Sequence, residues 1–145
     1  MKTFTLDEAH ELLPVVESLL RRGIECKRLI DEVEAEFKAT NQEIFLRGGM
    51  ALDIMAIARR RAESDKAIQR VKDILGEIEA IGAQVKDLDI GLIDFPCRVD
   101  GTTVLLCWKL GEQRITHWHG TSEGFAGRKP LHDRIPRTRK SKPGN

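Results

Sequence analysis

The sequence predicts an α+β fold, a long antiparallel helical hairpin packed with a small antiparallel β-meander. Three observations carry that expectation. Apolar residues recur at steps of three and four through most of the first eighty positions, the period of a helix with one buried face. After Gly82 the period drops to two, that of a half-buried strand. Asp100-Gly101 then stands between two apolar runs, a strong hairpin signal.

Thr5 followed by Glu8 forms a capping-box pattern, with Phe4 placed as a hydrophobic staple, so a helix should begin at Leu6. Pro14 disfavours the α region in the residue before it. The first helix should therefore end near Leu12, and Pro14 should sit in the first turn of the next, where its missing N–H costs nothing. A kinked continuous helix is the alternative. From Pro14 to about Phe37 the stripe is Val16, Leu19, Leu20, Gly23, Cys26, Ile30, Val33 and Phe37. Residues 40–43 and Gly48-Gly49 mark the connection. A second helix is expected from about Leu52 to Ile81, striped by Ile54, Ile57, Ala58, Arg61, Asp65, Ile68, Val71, Leu75 and Ile78, with Gly82 as its C-cap. Arg61 and Asp65 stand at i, i+4 and can pair along the helix.

In the meander, Val85–Leu88 reads as a short strand, followed by Leu92–Val99 and Thr103–Lys109. A type I′ turn at Asp100-Gly101 sets Val99 against Thr102, Arg98 against Thr103, Cys97 against Val104, Phe95 against Leu106 and Asp94 against Cys107. Alternation then puts Ile93, Phe95, Cys97, Val104, Leu106 and Trp108 on the core face. Asp94, Pro96, Leu105 and Cys107 take the other. Pro96 inside the run points to an edge position or a bulge. A turn at Gly111-Glu112-Gln113 should lead into a strand over Arg114–His119. Burying the Trp118 indole stabilises more than burying two imidazoles without partners. Trp118 is therefore assigned inward, and His117 and His119 outward beside Asp94 and Cys107.

The organisation that follows is one domain over residues 1–131: helices at about 6–81, the meander at about 84–119 and a glycine-rich loop at 120–131. Residues 132–145 read as a flexible basic tail. Net charge is +1, but residues 1–90 are net acidic and residues 91–145 net basic. Three cysteines form no disulfide framework and suit a reducing compartment. The N-terminus lacks a signal-peptide core, and no stretch approaches the length of a membrane span. A soluble cytoplasmic protein without membrane contact is expected.

The pieces FTLDEAHELLP, LIDFP, LLCWKLGE, ITHWH and GFAGRKPL together resemble the uncharacterised bacterial family catalogued as domain of unknown function 2203. The resemblance implies one domain ending near Leu131. It brings no established activity, and whether the chain is an enzyme stays open.

Three readings of the chemistry compete. Asp94, Cys107, His117 and His119, with Glu112 and Glu123 nearby in sequence, offer the donors that zinc or iron accepts, in a metal site or a hydrolase-like centre. A Cys107–His–Asp nucleophilic set draws on the same residues. Gly124, Gly127 and Arg128 could present N–H groups and a guanidinium to a small anion; the plain alternative is that Arg128 ties its loop to Asp94 or Glu123. The third reading, preferred at this level, is a binding or accessory protein with a small polar site on its meander and self-association through its helices. Its basic tail would then offer a non-specific nucleic-acid contact.

Overall fold

The computed structural model describes residues 2–47 and 53–139. Among these residues two α-helices, α1 (Leu6–Arg47) and α2 (Ile54–Ile81), form an antiparallel hairpin. A five-stranded antiparallel sheet follows: β1 (Gln84–Asp87), β2 (Leu92–Val99), β3 (Thr102–Lys109), β4 (His117–Gly120) and β5 (Lys129–Pro130), adjacent in sequence order. The fold is the expected α+β hairpin and meander. No described helix is long and apolar enough to cross a membrane.

The start of α1 is capped reciprocally. Thr5 N–H donates to Glu8 Oε1 at 2.8 Å, and Glu8 N–H donates to Thr5 Oγ1 at 3.3 Å. Phe4 packs edge-on against Phe95 in the core. The helix does not stop before Pro14; it runs through it to Arg47. Packing explains the difference. Leu6, Ala9, Leu13, Val16 and Leu20 are all buried and form one continuous stripe across Pro14, which itself faces solvent. That stripe holds the helix in phase over the lost hydrogen bond. The break expected at residues 40–43 is likewise absent, and Gly48-Gly49 lie outside the described residues.

Helix α2 begins at Ile54, with Asp53 as N-cap accepting Ala56 N–H at 3.0 Å; Leu52, the expected start, lies outside the described residues. Gly82 closes it in the left-handed conformation at φ 107°. The buried line is Ser64, Ala67, Ile74 and Ile78; it keeps Ile78 of the expected stripe and otherwise runs one position earlier. Arg61 and Asp65 consequently form no ion pair among the described residues. The Arg61 guanidinium lies 5.4 Å from the Phe37 ring instead. The salt link between the helices is made by Arg60, which donates to both oxygens of Glu36 at 2.9 Å.

The β2–β3 hairpin has the register that its turn demands, from Val99↔Thr102 to Asp94↔Cys107. Asp100 and Gly101 take φ values of 50° and 80°, as a type I′ turn requires. Pro96 introduces no shift. Its strand neighbour β1 reaches only to Asp94, so no ladder N–H is needed there, and the Pro96 carbonyl accepts Phe4 N–H at 2.7 Å. Ile93, Phe95, Cys97, Val104, Leu106 and Trp108 pack against the helices.

The segment 132–139 is not a free tail. Ile135 is buried, Pro136 and Arg137 carbonyls accept the N–H groups of Leu6 and Asp7, and Arg139 pairs with Glu8 at 2.8 Å. Two unsatisfied donors at the α1 N-terminus and one apolar anchor hold it down. Residues 140–145 lie outside the described residues. Arg139 and the Thr5 N–H together pull the Glu8 carboxyl down to about 2. A depressed carboxyl contributes stability above its unfolded value, lost as pH falls through its folded one. Glu8→Gln keeps the capping box and removes the charge. It should cost about 1 kcal/mol or less at neutral pH, because the pair is exposed. The gap from the parent should close on acidification towards about 2, as read by urea unfolding across that range.

Candidate functional site: a sealed Asp–His–Cys cluster

Strand parity brings three chemically distinct side chains together on the face away from the helices. Asp94 comes from β2, Cys107 from the opposing position on β3, and His119 from β4, where it pairs with Leu105. His119 Nε2 lies 2.9 Å from Asp94 Oδ2, and its Nδ1 lies 2.9 Å from the Gly120 carbonyl oxygen. One ligand atom from each of the three residues lies within 4.8 Å of the others. Asp94 and Cys107 are 0% exposed and His119 is 2% exposed.

The segment after β4 brings Arg128 against this face. It returns as β5, with Pro130 opposite His117. Alternation turns Arg128 to the same side as the cluster. Its guanidinium donates to both Glu112 carboxylate oxygens at 3.0 and 3.1 Å and lies 3.5 Å from the Cys107 carbonyl. The Phe125 ring covers it at 4.8 Å. Glu112 is the fastener that the sequence did not reveal. Its carboxylate also accepts Lys109 N–H at 2.7 Å, and its carbonyl accepts Trp108 Nε1–H at 2.9 Å. An acid three residues past a strand end is too common to have marked this role.

Burial dominates the electrostatics. It pushes the Cys107 thiol up to about 12, and the Asp94 charge adds to that. Burial also raises the Asp94 carboxyl, against the opposing pull of His119. A protonated, enclosed thiol is not a nucleophile at neutral pH. Removing Arg128 should loosen the cover. In Arg128→Ala, alkylation of the native protein at Cys107 should rise severalfold while Cys97, sealed in the helix-facing core, stays unchanged. Peptide mass mapping after brief iodoacetamide treatment reads both.

Other expected site residues fall elsewhere. His117 pairs with Cys107 in the backbone register, yet its ring lies 2.8 Å from Thr116 Oγ1 and does not join the converging atoms. The diagonal histidine, not the one directly opposite, reaches the cluster. Gly127 and Arg128 spend their N–H groups on the Gly124 and Phe125 carbonyls at 2.9 and 3.1 Å. Glu123 occupies the loop, accepting Gly120 N–H at 3.0 Å and Lys129 Nζ at 2.6 Å. An anion near Gly124, Gly127 and Arg128 would meet two carboxylates and few free donors. Arg128 ties the loop to Glu112 rather than to Asp94 or Glu123.

His10 also escaped notice in the sequence. Its Nε2 accepts Ile115 N–H at 3.0 Å, at the edge of a cleft of about 680 Å³ between α1 and residues 111–114. Burial, then the Arg114 charge, holds its ring below the usual histidine value.

Fold and site define a class: an α+β protein in which a helical hairpin backs an antiparallel meander, and the meander seals an Asp–His–Cys cluster under a glycine-rich segment. The family model described as "Uncharacterized conserved protein (DUF2203)" matches residues 2–131, and the chain belongs to that family. No curated protein and no solved structure matches it.

Proposed function

We propose that the protein is a non-enzymatic binding or accessory protein that assembles with further copies of itself through the outer part of its helical hairpin. The observation that carries this reading is the exposure of Leu46 (80%), Ile54 (73%) and Met55 (68%) at the far end of the hairpin. The core cluster shared with the sheet takes α1 side chains no further than Ile24 and α2 side chains none before Ile74; beyond it Val33, Ser64 and Ala67 are buried away from that cluster, so much of the hairpin has no sheet beneath it. At 1.5 Å per residue α1 is roughly 60 Å long. An open apolar groove along this part of α1, with Phe37 and Leu46 in its lining, gives a second copy a surface to pack on.

The hydrolase reading of Asp94, Cys107, His117 and His119 is less well supported. Hydrolysis needs water and substrate at the reacting group, and this cluster is closed to both. The nucleic-acid reading is weakened by pairing within the chain, since Arg139 faces Glu8 and Arg134 lies 3.6 Å from Asp100.

Sedimentation equilibrium tests the proposal. The parent protein should show a concentration-dependent dimer or higher species. Leu46→Glu combined with Ile54→Glu should shift it to monomer with unchanged circular dichroism. A parent that stays monomeric at its highest soluble concentration would refute the reading.

A further inference from the structure

We propose that Asp94, Cys107 and His119 bind a single zinc-class divalent ion that ties β2, β3 and β4 together in a structural rather than a catalytic role. The inference starts from the direction of lone pairs. The Gly120 carbonyl can only accept, so the contact of 2.9 Å to His119 Nδ1 places a proton on Nδ1. A neutral ring then aims the Nε2 lone pair at Asp94 Oδ2, itself electron-rich, 2.9 Å away. Two such atoms rest together only with a cation between them, a proton or a metal. A backbone carbonyl holding one ring nitrogen while the other faces the ion is the usual support of a ligating histidine.

The second observation is independent. Asp94 Oδ1 is fully buried and no N–H or O–H reaches it among the described residues; the Cys107 thiol beside the carboxyl is the one weak donor at hand. A carboxylate oxygen left in a sealed site with at best a thiol for company is costly unless something positive satisfies it. An ion held by Asp94, Cys107 and His119 would do so. The second carboxylate oxygen then supplies a fourth donor beside one sulfur, one nitrogen and one oxygen.

Charge and softness select the ion. One thiolate and one carboxylate neutralise a divalent cation, with histidine neutral, so the centre carries no net charge in its low-dielectric surroundings. On loading, two protons leave to solvent, the Cys107 thiol proton and the one shared by His119 Nε2 and Asp94 Oδ2, and the sulfur, nitrogen and carboxylate electron pairs go to the metal. A sulfur–nitrogen–oxygen set suits zinc and its neighbours, and it does not suit magnesium or calcium, which take oxygen ligands. Size fits as well. Bonds of about 2.0 Å at a tetrahedral angle put nitrogen and oxygen about 3.3 Å apart. The pair needs to open by only a few tenths of an ångström from its 2.9 Å.

The test uses the full chain without a histidine tag, expressed with zinc in the medium. About one zinc per chain should survive dialysis, and chelation should lower the melting temperature by several degrees, restored by zinc but not by magnesium. Cobalt substituted for zinc should give a thiolate-to-metal charge-transfer band in the near ultraviolet, lost in Cys107→Ser and weakened in Asp94→Asn. If Cys107→Ser does not fold, the band in the parent protein decides alone. Its presence supports the site. Its absence, a metal-free parent indifferent to added zinc, or equal zinc binding by folded Cys107→Ser, overturns it.

Discussion

Replacing His119 by alanine in chelator-treated protein should lower stability by about 3–5 kcal/mol at neutral pH, the usual cost of stranding one partner of a buried pair. The effect comes less from the lost contact than from what stays behind. Asp94 is wholly enclosed, and His119 is the main group pulling its carboxyl down against burial. Without the ring only the smaller pulls of Lys86 and the Cys107 thiol oppose burial, and the carboxyl rises further. The sign of the pH dependence follows. A folded value raised above the unfolded one favours the fold at low pH, and that contribution is lost as pH rises through the folded value. The gap between parent and variant should therefore be widest at neutral pH and narrow as pH falls towards the ordinary carboxylate range. Adding Asp94→Asn to His119→Ala should flatten the dependence. Urea unfolding at several pH values measures all three proteins. A gap below about 1 kcal/mol, or one that ignores pH, would mean that the pair is solvated and the face is not sealed.

Pro14→Ala should work in the opposite direction and stabilise the protein by about 2 kcal/mol. Proline inside a helix costs about 3 kcal/mol relative to alanine, through the missing N–H and the clash with the preceding turn. An alanine at position 14 can donate to the His10 carbonyl one turn back. Its greater freedom in the unfolded chain takes back about 0.4–1 kcal/mol. The Pro14 ring is exposed, so little packing is lost with it. Denaturant midpoints of parent and variant decide the matter. A destabilised variant would show that the ring is used, for instance as a wall of the cleft that His10 and Arg114 also line.

Pro14 also shows where the sequence could be read and where it misled. The rule that a proline ends a helix is local. The stripe Leu6, Ala9, Leu13, Val16, Leu20 crosses it without losing phase, and tertiary packing outweighs local preference. The β2–β3 hairpin was legible for the opposite reason. Asp-Gly dictates a single turn geometry, and a turn geometry dictates a register. From that register the faces followed, and with them the meeting of Asp94, Cys107 and one outward histidine. Which histidine did not follow. Parity treats His117 and His119 alike, whereas reach along a diagonal favours His119. The second helix misled through its charged residues. The stripe through Arg61 and Asp65 has helical spacing, but the small residues Ser64 and Ala67 are the ones buried. The docking of residues 132–139 was masked by their basic composition. Ile135 was the single apolar signal, and the helix N–H groups that hold Pro136 and Arg137 carry no sequence signature on the accepting side.

A crystal structure of the full chain puts the central claim to its most direct test, because everything rests on which way three side chains turn. The expected result is Asp94 and His119 in hydrogen-bond contact, or bridged by one ion, with Cys107 beside them and Arg128 clasped to Glu112 above. A structure with the His119 ring among the helix-facing residues, or with Asp94 and Cys107 open to water, would contradict it.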